Sequence, residues 1–198
     1  MDLSDHNMRM AVVRTLSLKG YSVKDVSAGS GVPKFSRVSV SGADGDQVAI
    51  IKTSTSGRIS FTRESDGKYK VLKDADFVVH VTPLAGTGNV RISLFARQTI
   101  IDAFDVNHAA KVARGMEHVP SWLNPVEEPG WRLTGSGFMT QAYWSEIVAL
   151  DGPASADEHL ASEPNVAEKG IMDRIREMLA EHMGVKPELI EIDVRVKM

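Results

Sequence analysis

Two cations, Lys52 and Arg63, stand within neighbouring runs of alternating apolar residues at 47–54 and 58–64. A Ser-Gly pair between the runs has the composition of a two-residue hairpin turn. In the hairpin that this pattern predicts, Lys52 lies opposite Phe61, and Arg63 shares their face. Two cations on one face without a carboxylate would attract an anion, such as a phosphate, more readily than a metal ion.

Lys52 also has a structural interpretation. The stem of a strand lysine commonly covers apolar surface while its amine reaches water, as in edge-strand and snorkelling lysines. A one-residue change in turn length would flip one strand and separate Lys52 from Arg63. Both interpretations stay open at the level of sequence.

Positive charge continues through the segment that contains Arg58 and Arg63. Between residues 58 and 76, five Lys or Arg residues are interleaved with four Asp or Glu residues, which leaves a net charge of +1. We select Lys52, Arg58 and Arg63 as candidate residues for binding nucleic acid or another anion. A mixed, solvated surface is the alternative interpretation of the same composition.

Two tryptophans, Trp122 and Trp131, lie in a Pro-containing segment at about 115–137 that has no regular pattern. Aromatic side chains of this kind form hot spots in partner interfaces or stack on bases. They are the candidate partner-binding residues. The alternative is that both side chains anchor a long ordered loop.

No pattern predicts a metal ion, a cofactor or a catalytic residue. The chain has six histidines and no cysteine, and the histidines lack the spacing of a zinc site. We interpret His80, which lies inside an apolar strand, as a residue whose hydrogen bonds are satisfied there. The serine-rich segments lack the GxSxG elbow of a serine nucleophile.

The elements around these residues predict an α/β (α+β) fold in which helices flank a central mixed sheet. Ser4 can cap a first helix over 5–19, and apolar spacing predicts a second helix over 98–114. The run 76–81 is apolar enough to be a central strand. Further strands are predicted at 37–40, 47–54, 58–64, 90–95 and, from a short ambiguous run, 142–150.

The chain divides into a core and an appendage. Residues 1–150 form the predicted core, with an irregular segment from about 115, and residues 151–163 have the composition of a linker. Residues 164–198 predict a capped helix followed by a strictly alternating strand, which would pack on the core.

The order of elements over residues 5–114 resembles that of the PD-(D/E)xK nuclease-like superfamily, and the resemblance implies a restriction-endonuclease-like core. Members of that superfamily place a carboxylate two residues before a strand lysine, and a second acid completes a Mg²⁺ site that activates water. Here Ile50 occupies that position and cannot bind a hard cation. Of the catalytic pattern, only Lys52 carries over.

The composition is that of a globular protein. The 198 residues are 42% hydrophobic and 25% charged, with a net charge of −3 and a pI near 6.1. This balance argues against a surface that is basic all round. The absence of cysteine favours a cytoplasmic protein, and no apolar run has the length of a membrane span.

We therefore expect a non-catalytic, nuclease-like binding module whose partner is nucleic acid or a protein that handles nucleic acid. Two alternatives stay open. A Mg²⁺-dependent nuclease would need a displaced carboxylate close to Lys52. A structural protein that forms homo-oligomers would use a self-complementary surface, such as the alternating strand at 190–196.

Overall fold

The fold is a mixed six-stranded sheet with helices against its faces, so the predicted α+β class is confirmed. A computed structural model of the chain describes residues 3–29, 31–43, 45–127 and 134–150. Trp131, the predicted linker and the predicted C-terminal helix and strand lie outside the described residues.

The described elements run in the order helix, five strands, helix, strand. The helices are α1 (Asp5–Leu18) and α2 (Arg97–Val112). The strands are β1 (Ser22–Asp25), β2 (Arg37–Gly42), β3 (Gly45–Thr53), β4 (Phe77–Pro83), β5 (Asn89–Ala96) and β6 (Trp144–Ala149).

Strands follow one another across the sheet in chain order, from β1 to β6. All neighbouring pairs are antiparallel except β3 and β4, which are parallel. A parallel pair needs a crossover connection. Residues 54–76 form this crossover, and one 3-10 turn, Lys70–Leu72, is its regular element. The carboxyl ends of β3 and β4 consequently lie at the same end of the sheet.

The two faces of the sheet carry separate apolar clusters. Successive residues of a strand point to opposite faces, so Ile51 packs under α1 while Ile50 packs under α2. We call these the α1 face and the α2 face. α1 covers the first with Met8, Ala11, Val12 and Leu16. The crossover and α2 cover the second with Ile59, Phe61, Tyr69, Leu72, Ile100 and Phe104.

Several predicted elements are confirmed at the level of individual residues. The Oγ of Ser4 accepts a hydrogen bond from the backbone N–H of Asn7 at 3.3 Å, and α1 begins at the next residue, Asp5. The predicted central strand is β4, in which residues 78–82 are all buried. The ambiguous run at 142–150 contains strand β6.

The predicted hairpin around Lys52 is wrong. Both edges of β3 are already paired, with β2 on one side and β4 on the other, so residues 58–64 find no free edge. They cross the α2 face instead, where an isolated bridge joins Ile59 to Leu123. The alternation at Ile59 and Phe61 serves to bury these two side chains against α2.

Buried groups other than Trp122 hold the segment that follows α2. Trp122 is 55% exposed, so its predicted role as a loop anchor is wrong, whereas the neighbouring Leu123 is fully buried. Asn107 of α2 donates from Nδ2 to the backbone oxygen of Thr134 at 2.7 Å. Its Oδ1 accepts a hydrogen bond from Ser121 Oγ, also at 2.7 Å. One buried amide therefore joins two parts of this segment to α2.

No helix within the described residues combines the length and the apolar character that a bilayer-spanning helix needs.

Candidate functional site

Lys52 lies at the carboxyl end of β3 and points to the α2 face. Its side chain is half-buried, and Nζ stands 4.7 Å from the centre of the Phe61 ring, within cation–π range. The predicted neighbour is therefore present, although the crossover and not a hairpin brings it there. Burial lowers the pKa of Lys52 from its usual value of 10.5.

No carboxylate forms an ion pair with Lys52 within the described residues. One acid does reach this end of β3, since Asp5 Oδ1 accepts a hydrogen bond from Thr53 Oγ1 at 2.9 Å. Thr53 points to the α1 face, however, and Lys52 points to the other face. Asp5 therefore cannot place a metal ion beside Lys52, because the sheet lies between them.

His80 of β4 is the residue in register with Lys52 on the adjacent strand. It is 1% exposed, and its Nε2 has no hydrogen-bond partner. Our interpretation of His80 as a satisfied strand residue is therefore wrong. Burial, with a further contribution from the charge of Arg91, lowers the pKa of His80 to about 4, so the imidazole is neutral at pH 7.

Arg91 is a cation of this site that sequence reasoning did not select. It lies on β5, paired with Thr82 of β4, two positions from His80 on the same face. Within the described residues it forms no ion pair and no hydrogen bond. The sequence did not single out Arg91, because arginine is common in alternating strands and its neighbours depend on the strand register.

The other two selected cations, Arg58 and Arg63, lie on the crossover and have acidic partners. Arg58 is 3.3 Å from Glu127, and Arg63 Nε is 3.5 Å from Asp105 Oδ1. All four side chains are at least one-third exposed. Exposed pairs of this kind contribute about 0.2–1 kcal/mol. A phosphate group could therefore displace the carboxylates at small cost.

Tyr69 shares the carboxylate that pairs with Arg63. Its hydroxyl donates to Asp105 Oδ1 at 2.9 Å. Burial, together with the hydrogen bond and the charge of Asp105, raises the pKa of Tyr69 to about 12. Tyr69 is itself 6% exposed and packs edge-on against Phe104. The pair of Arg63 and Asp105 is thus tied to the core through a neutral tyrosine.

Removing this hydroxyl with Tyr69→Phe is expected to lower the free energy of unfolding by about 1 kcal/mol, because one hydrogen bond to a carboxylate is lost. Urea denaturation measures the change. Tyr143→Phe is the matched control, since the hydroxyl of Tyr143 makes no hydrogen bond within the described residues. Equal stability of the two variants would contradict the proposed role of the Tyr69 hydroxyl.

A cleft of about 280 Å³ opens beside Arg63, between the crossover and the segment after α2. Its polar lining includes Arg63, Tyr69, His108, Glu117, His118 and Ser121. The described residues contain no group of three or more His, Cys, Asp or Glu side chains placed to hold a metal ion. The cleft offers hydrogen bonds and one guanidinium to a polar ligand.

Lys111 forms hydrogen bonds to residues that line this cleft, so its amine is not simply solvated. Its Nζ donates to the backbone oxygens of Val119 and Pro120 and to Ser121 Oγ, at 3.0, 2.7 and 3.1 Å. Burial lowers the pKa of Lys111 from its usual value. The amine therefore holds the wall in place and is not available to a ligand.

Of the two candidate partner-binding tryptophans, Trp122 lies within the described residues. Trp122 is 55% exposed, and Val126 close to it in the chain is 49% exposed. An exposed tryptophan can serve a partner interface. Trp131 lies outside the described residues, so its relation to Trp122 stays a prediction.

Comparison with known proteins yields no relationship. No protein-family model, curated protein or solved structure matches this chain significantly. Within the described residues, fold and site define an α+β protein with a mixed six-stranded sheet. A lysine without a carboxylate partner among the described residues lies near the carboxyl end of β3, in register with a buried neutral histidine in the middle of the parallel strand β4.

Proposed function

We propose that this chain is a non-catalytic binding module that contacts nucleic acid, or a protein that handles nucleic acid, through Lys52, Arg58 and Arg63. The observation that carries the proposal is the environment of Lys52. Its amine is half-buried over an aromatic ring and has no anionic partner among the described residues. A bound phosphate would supply the missing negative charge.

Two further observations support a phosphate-bearing partner. Arg58 and Arg63 lie on the same crossover as Phe61, which contacts Lys52, and their weak ion pairs can be exchanged for phosphates. The order of helix, three antiparallel strands, crossover and parallel strand is compatible with the resemblance to the nuclease-like superfamily. A likeness of fold is a weaker argument than the site.

The non-catalytic part of the proposal follows from the ligands that Mg²⁺ requires. The cation takes oxygen ligands, usually carboxylates, and Ile50 occupies the position two residues before Lys52. Asp5 serves the opposite face of the sheet. We therefore expect no Mg²⁺-dependent or Mn²⁺-dependent cleavage of DNA or RNA. Cleavage that disappears in Lys52→Ala would contradict this expectation and favour the nuclease alternative.

The binding part is tested by fluorescence anisotropy with labelled single-stranded and double-stranded DNA and RNA over a series of salt concentrations. We expect binding that weakens as salt rises, because phosphate contacts release counterions. Lys52→Ala and Arg63→Ala should each weaken binding and reduce the salt slope by about one. Unchanged affinity in both variants, with the fold retained, would rule out the proposed surface.

A further inference from the structure

A row of polar side chains crosses the α2 face beyond the apolar cluster. Lys52, His80, Ser93 and Ser145 are in register on the neighbouring strands β3, β4, β5 and β6. Ser93 Oγ and Ser145 Oγ are 2.8 Å apart and hydrogen-bonded. The two serines therefore satisfy each other, whereas Lys52 and His80 have no hydrogen-bond partner among the described residues.

The unsatisfied atom in this row is Nε2 of His80. A neutral imidazole carries one N–H donor and one acceptor nitrogen. A buried polar atom without a partner is destabilising, and in native proteins such atoms often mark a functional site or a missing ligand. With Nε2 protonated, His80 could donate a hydrogen bond to a ligand oxygen.

Cations flank His80 on both neighbouring strands. Lys52 lies on β3 and Arg91 lies on β5. These strands are about 10 Å apart, because each step across a sheet is about 4.8 Å. Extended Lys and Arg side chains are long enough to approach one ligand above β4. After burial, the charge of Arg91 is the second cause of the lowered pKa of His80.

Solvent reaches this row from the side of β6. Ser145 is exposed and Arg91 is half-buried, so both can be approached from outside. Ser93 Oγ donates to the Sδ of Met139 at 3.5 Å.

We propose that Lys52, His80 and Arg91 form one anion subsite, which binds a single phosphate group of the partner. The two cations neutralise the phosphate charge from opposite sides, and His80 Nε2–H donates to one of its oxygens. The inference rests on the proposed function, because it assigns the phosphate that Lys52 contacts. It adds Arg91 and His80, which no sequence pattern selected.

Inorganic pyrophosphate is the probe, and the imidazole resonances of His80 are followed by NMR while it is titrated into the folded chain. We expect the resonances of His80 to shift with saturation, and we expect Arg91→Gln to weaken binding about tenfold, since one charge-assisted hydrogen bond is lost. Arg114→Gln is the matched control, because Arg114 lies beyond the end of α2. It should change affinity by less than about twofold.

Failure of the subsite and failure of the proposed function have different results. Equal pyrophosphate affinity in Arg91→Gln and the wild type, while oligonucleotides still bind through Lys52, overturns the subsite alone. Pyrophosphate binding through Arg91 and His80 without any oligonucleotide binding supports the subsite and overturns direct nucleic-acid binding, which is the first form of the proposed function. Shifts that appear at His108 or His118 and not at His80 would move the anion to the Arg63 cleft and overturn the subsite.

Discussion

Acidification from pH 7 to pH 4 is expected to lower the free energy of unfolding by about 3 kcal/mol through His80 alone. The pKa of His80 is about 4 in the folded chain and 6.5 when the residue is exposed. The unfolded chain therefore binds more protons between these values. The contribution of His80 is fully present above pH 6.5, is lost as the pH falls from 6.5 to 4, and changes little below pH 4.

Urea denaturation at a series of pH values measures this loss, and His80→Gln should remove most of it because glutamine does not titrate. His6→Gln, at an exposed position of α1, is the matched control and should keep the wild-type pH dependence. The lowered pKa of Asp25 acts only at lower pH, since its usual value is 3.8. Wild-type and His80→Gln curves of equal slope between pH 6.5 and 4 would contradict the buried, neutral state of His80.

Gly135→Ala is expected to destabilise the fold by about 3 kcal/mol or more, which is a large effect for one methyl group. A Cβ at this position would lie 2.2 Å from the backbone oxygen of Ala103 in α2. The residue also has a φ of +93°, which alanine rarely adopts. Because the obstructing atom is backbone, either the loop or α2 must shift.

Gly45→Ala separates the steric clash with α2 from the backbone strain of a positive φ. Gly45 has the same φ of +93°, but a Cβ there would have nothing within 4 Å. We expect it to cost about 1 kcal/mol through backbone strain alone. The difference between the two variants, measured by thermal or urea unfolding, then reports the close approach of the Gly135 loop to α2. Equal destabilisation would contradict that approach.

Local patterns predicted a large part of the fold. α1 could be predicted because a capping serine and apolar spacing are short-range signals, and β4 could be predicted because both of its faces are buried. The path of residues 58–64 could not be predicted correctly, because alternating apolar residues have the same period whether they pair with a strand edge or pack against α2. The decisive fact, that β2 and β4 occupy both edges of β3, depends on long-range pairing.

The candidate site was predictable only in part. Lys52 was identifiable because charge is unusual in an apolar strand, and its contact with Phe61 was expected for the wrong reason. His80 and Arg91 could not be identified, because their placement depends on register: β4 brings His80 beside Lys52, and β5 brings Arg91 beside Thr82, two residues further along β4 on the face of His80. The role of Asn107 depends on loops that return to α2 from distant parts of the chain.

The proposed function depends on contact between Lys52 and a phosphate of the partner. The most direct measurement compares the oligonucleotide affinities of Lys52→Ala and Lys24→Ala at low salt by fluorescence anisotropy. Lys24 is an exposed lysine on β1, two strands from Lys52, so both variants remove one positive charge. We predict about tenfold weaker binding for Lys52→Ala and less than about twofold for Lys24→Ala. Equal losses in the two variants, or no loss in Lys52→Ala, would contradict this contact.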